Sequence, residues 1–193
     1  MKLRTLFTGI MSVLILFSFS AVYSQQGDQA DMMKKWQEYM TPSTAHQPFV
    51  KMVGNWTAVV TNYMGGQETK SDGTGTYEMI LGGRYLKSTF KSTMMGMPFE
   101  GMGLDGFDNV TKEYLSVWVD NFGTGIEYLK GKFDEKTKSV VYTGSMVDPM
   151  AGKEVPTKSI MKFIDDDHTT TEIYSFENGK EVKSMQIDYT RVK

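Results

Sequence analysis

From Gly54 to the C-terminus, apolar and polar residues alternate in short blocks, with turn-forming residues every 10 to 15 positions. The blocks read GNWTAVVTNY, GTYEMIL, RYLKSTFKST, PFEGMGLDGFD, KEYLSVWVDN, GIEYLKGKF, KSVVYTGSMV, PTKSIMKFID, TTTEIYSF and EVKSMQIDYTRV. Their length and their β-branched and aromatic content predict about ten strands. The last block alternates cleanly, with Met185, Ile187 and Tyr189 on one face and Ser184, Gln186 and Asp188 on the other. In YLSVWV both faces are apolar: Leu115, Val117 and Val119 oppose Tyr114 and Trp118. Such a strand has one face in a core and the other covered or lining a cavity. Between Phe99 and Phe107, alternation places Gly101, Gly103 and Asp105 on the face of the two phenylalanines. Glycines so placed let a strand bend or another group come close.

The separators suit tight connections. Gly82-Gly83, Asp108-Asn109, Asp134 to Thr137, Asp165 to His168 and Asn178-Gly179 all carry turn chemistry. GGQETKSDG, residues 65–73, reads as a longer loop, and MMGMP, residues 94–98, as a mobile apolar loop. No helix-length segment interrupts the blocks, so successive hairpins imply an antiparallel meander. An open meander of this size leaves two long edges, and closure removes them. The expected fold is all-β: an antiparallel up-and-down β-barrel with an internal cavity, a two-sheet sandwich being the alternative.

The first 53 residues differ. Lys2 and Arg4 precede an apolar run from Leu6 to Phe19, followed by Ala21-Val22-Tyr23-Ser24. That is a signal peptide with cleavage expected after Ser24. The run is shorter than the roughly 20 residues a spanning helix needs, so no membrane span is expected in the mature chain. In residues 31–40, Met32, Trp36 and Met40 recur at a spacing of four behind Asp31, which predicts an amphipathic helix capped by Asp31 and ended at Thr41-Pro42. Ser43 is placed to cap a second short helix with Pro48 in its first turn. The expected organisation is a signal peptide over 1–24, a helical segment over 25–53 and a barrel over 54–193. The mature chain is exported, to the periplasm or beyond the cell.

Composition narrows the chemistry. The mature chain has 19 basic and 23 acidic residues, which gives no electrostatic footprint for nucleic acid. The absence of cysteine removes disulfides, thiolate metal sites and cysteine nucleophiles together. Only His46 and His168 are present, so nucleophilic triads and histidine metal sites lack their parts, and neither a P-loop nor a dinucleotide fingerprint occurs. No cofactor is expected. Met94, Met95 and Met97 are soft thioethers of the kind that hold Cu(I), yet no histidine or cysteine lies nearby to complete such a site, and methionine more often fills irregular space. Glu100 and Asp120 would meet near one end of a hairpin, where paired carboxylates can do acid–base work.

HQPFVKMVGNWT, ILGGRYLKSTF and MMGMPFEGMGLDGFDNVTKEYLSVWVDNFGTGI, with TGSMVDPMAGKEV and QIDYTRVK, together resemble a bacterial exported family known as domain of unknown function 1579. The resemblance spans roughly residues 40 to 193. It implies a barrel similar to the calycins (lipocalins and fatty-acid-binding proteins) and implies no activity. The Gly54-x-Trp56 pair is similar to the first strand of lipocalins, where tryptophan closes one end and an arginine packs on it. Arg191 and Arg84 are the candidates for that arginine. The fold analogy points to an exported barrel that binds a small apolar molecule or lipid. Arg84, Tyr85, Glu100, Trp118, Asp120 and Tyr128 are its expected cavity and rim residues. An envelope interaction protein and a carboxylate-based hydrolase or isomerase are the alternatives.

Overall fold

The computed structural model describes residues 28–64, 66–177 and 179–193, with Met64 and Glu177 described by their backbone alone. The predicted signal peptide and Asn178 lie outside the described residues. Helix α1 covers 28–40. It is already helical three residues before Asp31, so Asp31 lies inside the helix rather than capping it. At its end Thr41 donates its hydroxyl to the Gln37 carbonyl at 2.7 Å. Trp36 and Tyr39 meet edge to face on this helix, at 6.0 Å between ring centroids.

A separate compact unit, Pro42–Lys193, contains the barrel. It opens with a 3₁₀ turn, Thr44–His46, and helix α2, Gln47–Met52. Ser43 stands at the N-cap of the turn, and its backbone N–H donates to His46 Nδ1 at 3.0 Å. Pro48 falls in the first turn of α2, where a missing N–H costs nothing.

Ten strands follow: β1 Gly54–Met64, β2 Gln67–Ile80, β3 Tyr85–Met94, β4 Met97–Asp108, β5 Glu113–Asp120, β6 Glu127–Asp134, β7 Ser139–Asp148, β8 Lys153–Phe163, β9 His168–Glu177 and β10 Lys180–Arg191. Each pairs antiparallel with the next, and β1 pairs with β10, so the sheet closes into a barrel without an edge. The expected up-and-down barrel is the observed one.

Two connections differ from expectation. Residues 67–73 are strand, not loop: Gln67 pairs with Met64 and the ladder runs unbroken to Gly54 and Tyr77. These polar residues gain their order from backbone pairing with β1, and residues 67–70 are exposed on both faces, which erases the alternation. MMGMP is not a loop either. Met94 pairs with Met97, leaving the two-residue turn Met95-Gly96 with φ of 50° and 76°. Positive φ at both positions is the requirement of a type I′ hairpin. The turns expected at Asp108 and Asp134 form, each aspartate accepting from the two backbone N–H groups two and three residues on, and Asp148 makes the same turn without having been expected to.

The core closes one end of the barrel and extends along its interior to Phe99. Phe49 and Met52 of α2 are fully buried at the closed end against Trp56, Leu86 and Val140. Trp56 donates its indole N–H to the Met52 carbonyl at 2.7 Å, and Tyr114 donates to the Ala45 carbonyl at 2.8 Å. Phe49 meets Tyr114 edge to face at 5.6 Å, and His46 meets Phe107 likewise at 5.9 Å. Arg191 places its guanidinium 4.2 Å from the Trp56 ring centre and donates to the carbonyls of Val53 and Asp166 at 2.7 and 2.9 Å. Arg84 instead donates to Leu81 within its own turn, so Arg191 is the arginine that packs on the tryptophan.

Candidate functional site

Strand register assigns every side chain to the inside or the outside. Facing inward on β4 are Phe99, Gly101, Gly103, Asp105 and Phe107. They stand beside Asp120, Trp118, Ser116 and Tyr114 of β5, and Glu127 of β6 stands opposite Trp118. The inner face of β1 to β4 is packed: Trp56, Ala58, Val60, Tyr77, Leu86 and Phe90 are buried. Across the barrel, Ser159, Met161, Thr171, Ile173, Met185 and Ile187 also face inward, yet each is only half-buried. These side chains keep accessible surface inside the barrel, and Met185 and Ile187 also pack against the core. Eight strands enclose an interior just wide enough to fill with side chains or hold one small ligand, and width grows with strand number. Toward the end away from α2, Asn62, Ser92, Trp118, Val155 and Ser175 are likewise half-buried. The barrel is shut by α2 at one end and accessible at the other.

The mouth is built around Trp118. An ideal Cβ on Gly101 would lie 2.1 Å from Trp118 Cζ2, and one on Gly103 would lie 3.3 Å from its Cε3. The alternating glycines are the bed on which the indole lies. Phe99 stacks on Trp118 at 6.5 Å with planes 15° apart, and Phe122 meets Phe99 at 5.5 Å. Trp118 donates its N–H to Asp120 Oδ2 at 2.9 Å, and the Phe122 backbone N–H donates to Oδ1 at 2.9 Å. Glu127 has no hydrogen-bond or ion-pair partner among the described residues. Burial, and then the charge of Asp120, raise its pKa.

Deeper inside lies a polar centre. Asp105 is 7% exposed. Burial pushes its pKa up to about 6, against the opposing hydrogen bond from Ser116. Tyr77 and Tyr189 are hydrogen-bonded to each other and packed edge to face at 6.1 Å. Burial raises both, Tyr189 to about 12, and the Asp105 charge adds to the rise. Tyr142, 3% exposed, is raised by burial and then by Asp105, and its hydroxyl has no hydrogen-bond partner.

The residues singled out from sequence divide between the two faces. Trp118 and Asp120 face inward and touch. Glu100 faces outward, where it pairs with Lys91 at 3.0 Å. Glu100 and Asp120 reach the same end of the barrel on opposite faces of the sheet, so they share no site. Tyr85 and Tyr128 stand on the outer face, exposed. Arg84 lies in the β2–β3 turn at the closed end. Sequence reasoning missed Asp105, Glu127, Tyr77, Tyr142 and Tyr189 as interior polar groups. His46 is buried at the closed end, and that burial lowers its pKa, whereas His168 pairs with Asp165 at 2.9 Å in an exposed turn. No helix among the described residues is long and apolar enough to cross a membrane.

A family model described as "Protein of unknown function (DUF1579)" matches residues 41–191, and the chain belongs to that family. No curated protein matches it. Among solved structures it is similar to Rv2717c from M. tuberculosis, with 15% identity and a TM-score of 0.59 over 79% of this chain and 100% of that one. It is also similar to the S-type phycobiliprotein lyase CPES from Guillardia theta, with 9% identity and a TM-score of 0.57 over 79% of this chain and 94% of that one. Both are likenesses of fold.

Proposed function

We propose that this DUF1579 member is an exported binding protein that holds a small, largely apolar molecule inside its barrel. The observation that carries the reading is the half-buried inner face of β8, β9 and β10, where Met161, Ile173, Met185 and Ile187 keep accessible surface among polar neighbours. Binding sites of this kind are concave, mostly apolar and supplied with a few placed polar groups. Ile173, Met185 and Ile187 supply the apolar wall, and Trp118 with Asp120 the polar rim. The closed end is rigid and sealed by α2, so the ligand enters past Trp118. The apolar run of residues 6–19 supports export, and the mass of protein recovered from the producing cells tests it by the loss of residues 1–24.

Native mass spectrometry of gently purified protein, joined to titration with the fluorescent apolar probe N-phenyl-1-naphthylamine, tests binding. The expected result is a co-purified small molecule or saturable probe fluorescence that Ile187→Trp abolishes by filling the hollow. A bare chain that gives no saturable signal overturns the reading.

A further inference from the structure

The outer face of the barrel carries both signs of charge. Lys87, Lys91, Lys130, Lys158 and Lys162 project outward from the strands, most in ion pairs with outward carboxylates. Among the described inner-face residues charges are few. Asp105, Asp120 and Glu127 face inward from three consecutive strands, and the only inward arginine, Arg191, is occupied at the closed end by Trp56 and backbone carbonyls. At the mouth, Asp148 of β7 sits opposite Lys153 of β8 in register. The β5–β6 hairpin has no such basic counterpart: Glu127 stands opposite Trp118, and Asp120 is the nearest charge.

We infer that the molecule held in the barrel is an organic cation: an apolar body carrying a protonated amine, with the ammonium seated between Asp120 and Glu127 against the face of Trp118. This rests on the binding reading above and names its ligand class. Three features converge on it. Two carboxylates share one rim position without a cation. Trp118, backed by Phe99, offers the aromatic face that binds ammonium best. Tyr142 supplies a second, independent sign deeper in, since its hydroxyl is buried, unpartnered and adjacent in charge to Asp105. A polar group of the ligand reaching that depth would find one unpaired hydroxyl and one carboxyl. The apolar body would lie along Ile173, Met185 and Ile187.

Titration of Trp118 fluorescence with octylamine, octanol and octanoate tests the inference. The three probes share a chain and differ in head charge. Octylamine is expected to bind about tenfold or more tighter than octanol, and octanoate more weakly than either. Glu127→Gln and Asp120→Asn are expected to erase the preference for the amine, and a cooperative thermal unfolding transition in each variant shows that it is folded. Equal binding of amine and alcohol, or an amine preference that survives both substitutions, overturns the cation assignment and leaves the binding barrel standing. Failure of all three probes together with N-phenyl-1-naphthylamine overturns the binding reading itself.

Discussion

Asp105 makes a stability prediction whose sign is opposite to that of most carboxylates. Its folded-state pKa, about 6, lies above the ordinary aspartate value of 3.8, because burial favours the neutral acid. The stabilising contribution of the protonated form is therefore complete below pH 3.8. It is lost as pH rises through the interval to about 6, and the loss is finished near pH 7. At 1.36 kcal/mol per pH unit the full loss is about 3 kcal/mol. Asp105→Asn keeps an acceptor for Ser116 and cannot ionise, so it escapes the loss. Glu172 works the other way. Burial would raise it, but Lys162 and Lys183, hydrogen-bonded to it at 2.7 and 2.6 Å, pull it down to about 2, so its contribution fades only in acid. Subtracting variant from wild type removes that background. Urea unfolding at pH 4 and pH 8 should show the variant gaining about 2–3 kcal/mol on the wild type between the two, with little change in m. A stability difference that stays constant across that range would refute the reasoning, since it would mean that Asp105 is ionised in the folded protein at no cost.

Arg191→Ala should cost about 2–3 kcal/mol, from the lost contact with Trp56 and the lost donors to Val53 and Asp166. Arg191→Lys should recover less than half of it, because an ammonium cannot reproduce the planar fork; full recovery in thermal unfolding would show that charge alone matters. Gly101→Val places a methyl-bearing carbon where Trp118 Cζ2 now lies, so the indole must leave Asp120. Its indole N–H resonance should shift while that of Trp56 stays, at an overpacking cost of about 1–3 kcal/mol. An unmoved Trp118 resonance would contradict the bed of glycines. Binding of octylamine should lower the pKa of Glu127, which burial and Asp120 hold up. Calorimetry at pH 5 in buffers of different ionisation enthalpy should therefore register proton release, and none would place the ammonium elsewhere.

Alternation and turn chemistry made the barrel legible before any coordinates. All ten strand blocks formed, since burial of one face imposes a period of two and aspartate turns mark the ends. The pattern failed where both faces meet solvent, as at Gln67 to Lys70, and there backbone pairing alone sets the strand. The site was legible in halves. Trp118 and Asp120 lie two apart and share the inner face. The alternation that groups Phe99, Gly101, Gly103 and Asp105 already carried Asp105 inward and Glu100 outward. Local parity was thus a better guide to Glu100 than its proximity to Asp120 along the hairpin. Glu127 was hidden for a different reason: its place opposite Trp118 depends on the register across a six-residue connection, which no local pattern specifies. Tyr77, Tyr142 and Tyr189 were hidden because a strand tyrosine suits core and surface alike.

A hydrocarbon ligand leaves the interior charge unexplained. An apolar tail gains nothing from three inward carboxylates, and one of them lowers stability by about 3 kcal/mol above pH 7. Water would solvate Asp120 and Glu127 at the accessible mouth, but Asp105 is 7% exposed and beyond its reach. Carboxylates can also serve as ion-pair partners within the fold, and on the outer face Glu78, Glu100, Glu172 and Glu181 do so, each beside a lysine. Inside, Asp105, Asp120 and Glu127 have no ion-pair partner among the described residues. A barrel built to hold neutral lipid would not concentrate its unpaired negative charge on the wall that also carries its largest aromatic face. A cationic head with an apolar body meets both features with the same molecule: the ammonium takes the carboxylates and Trp118, and the body takes the half-buried wall across from them.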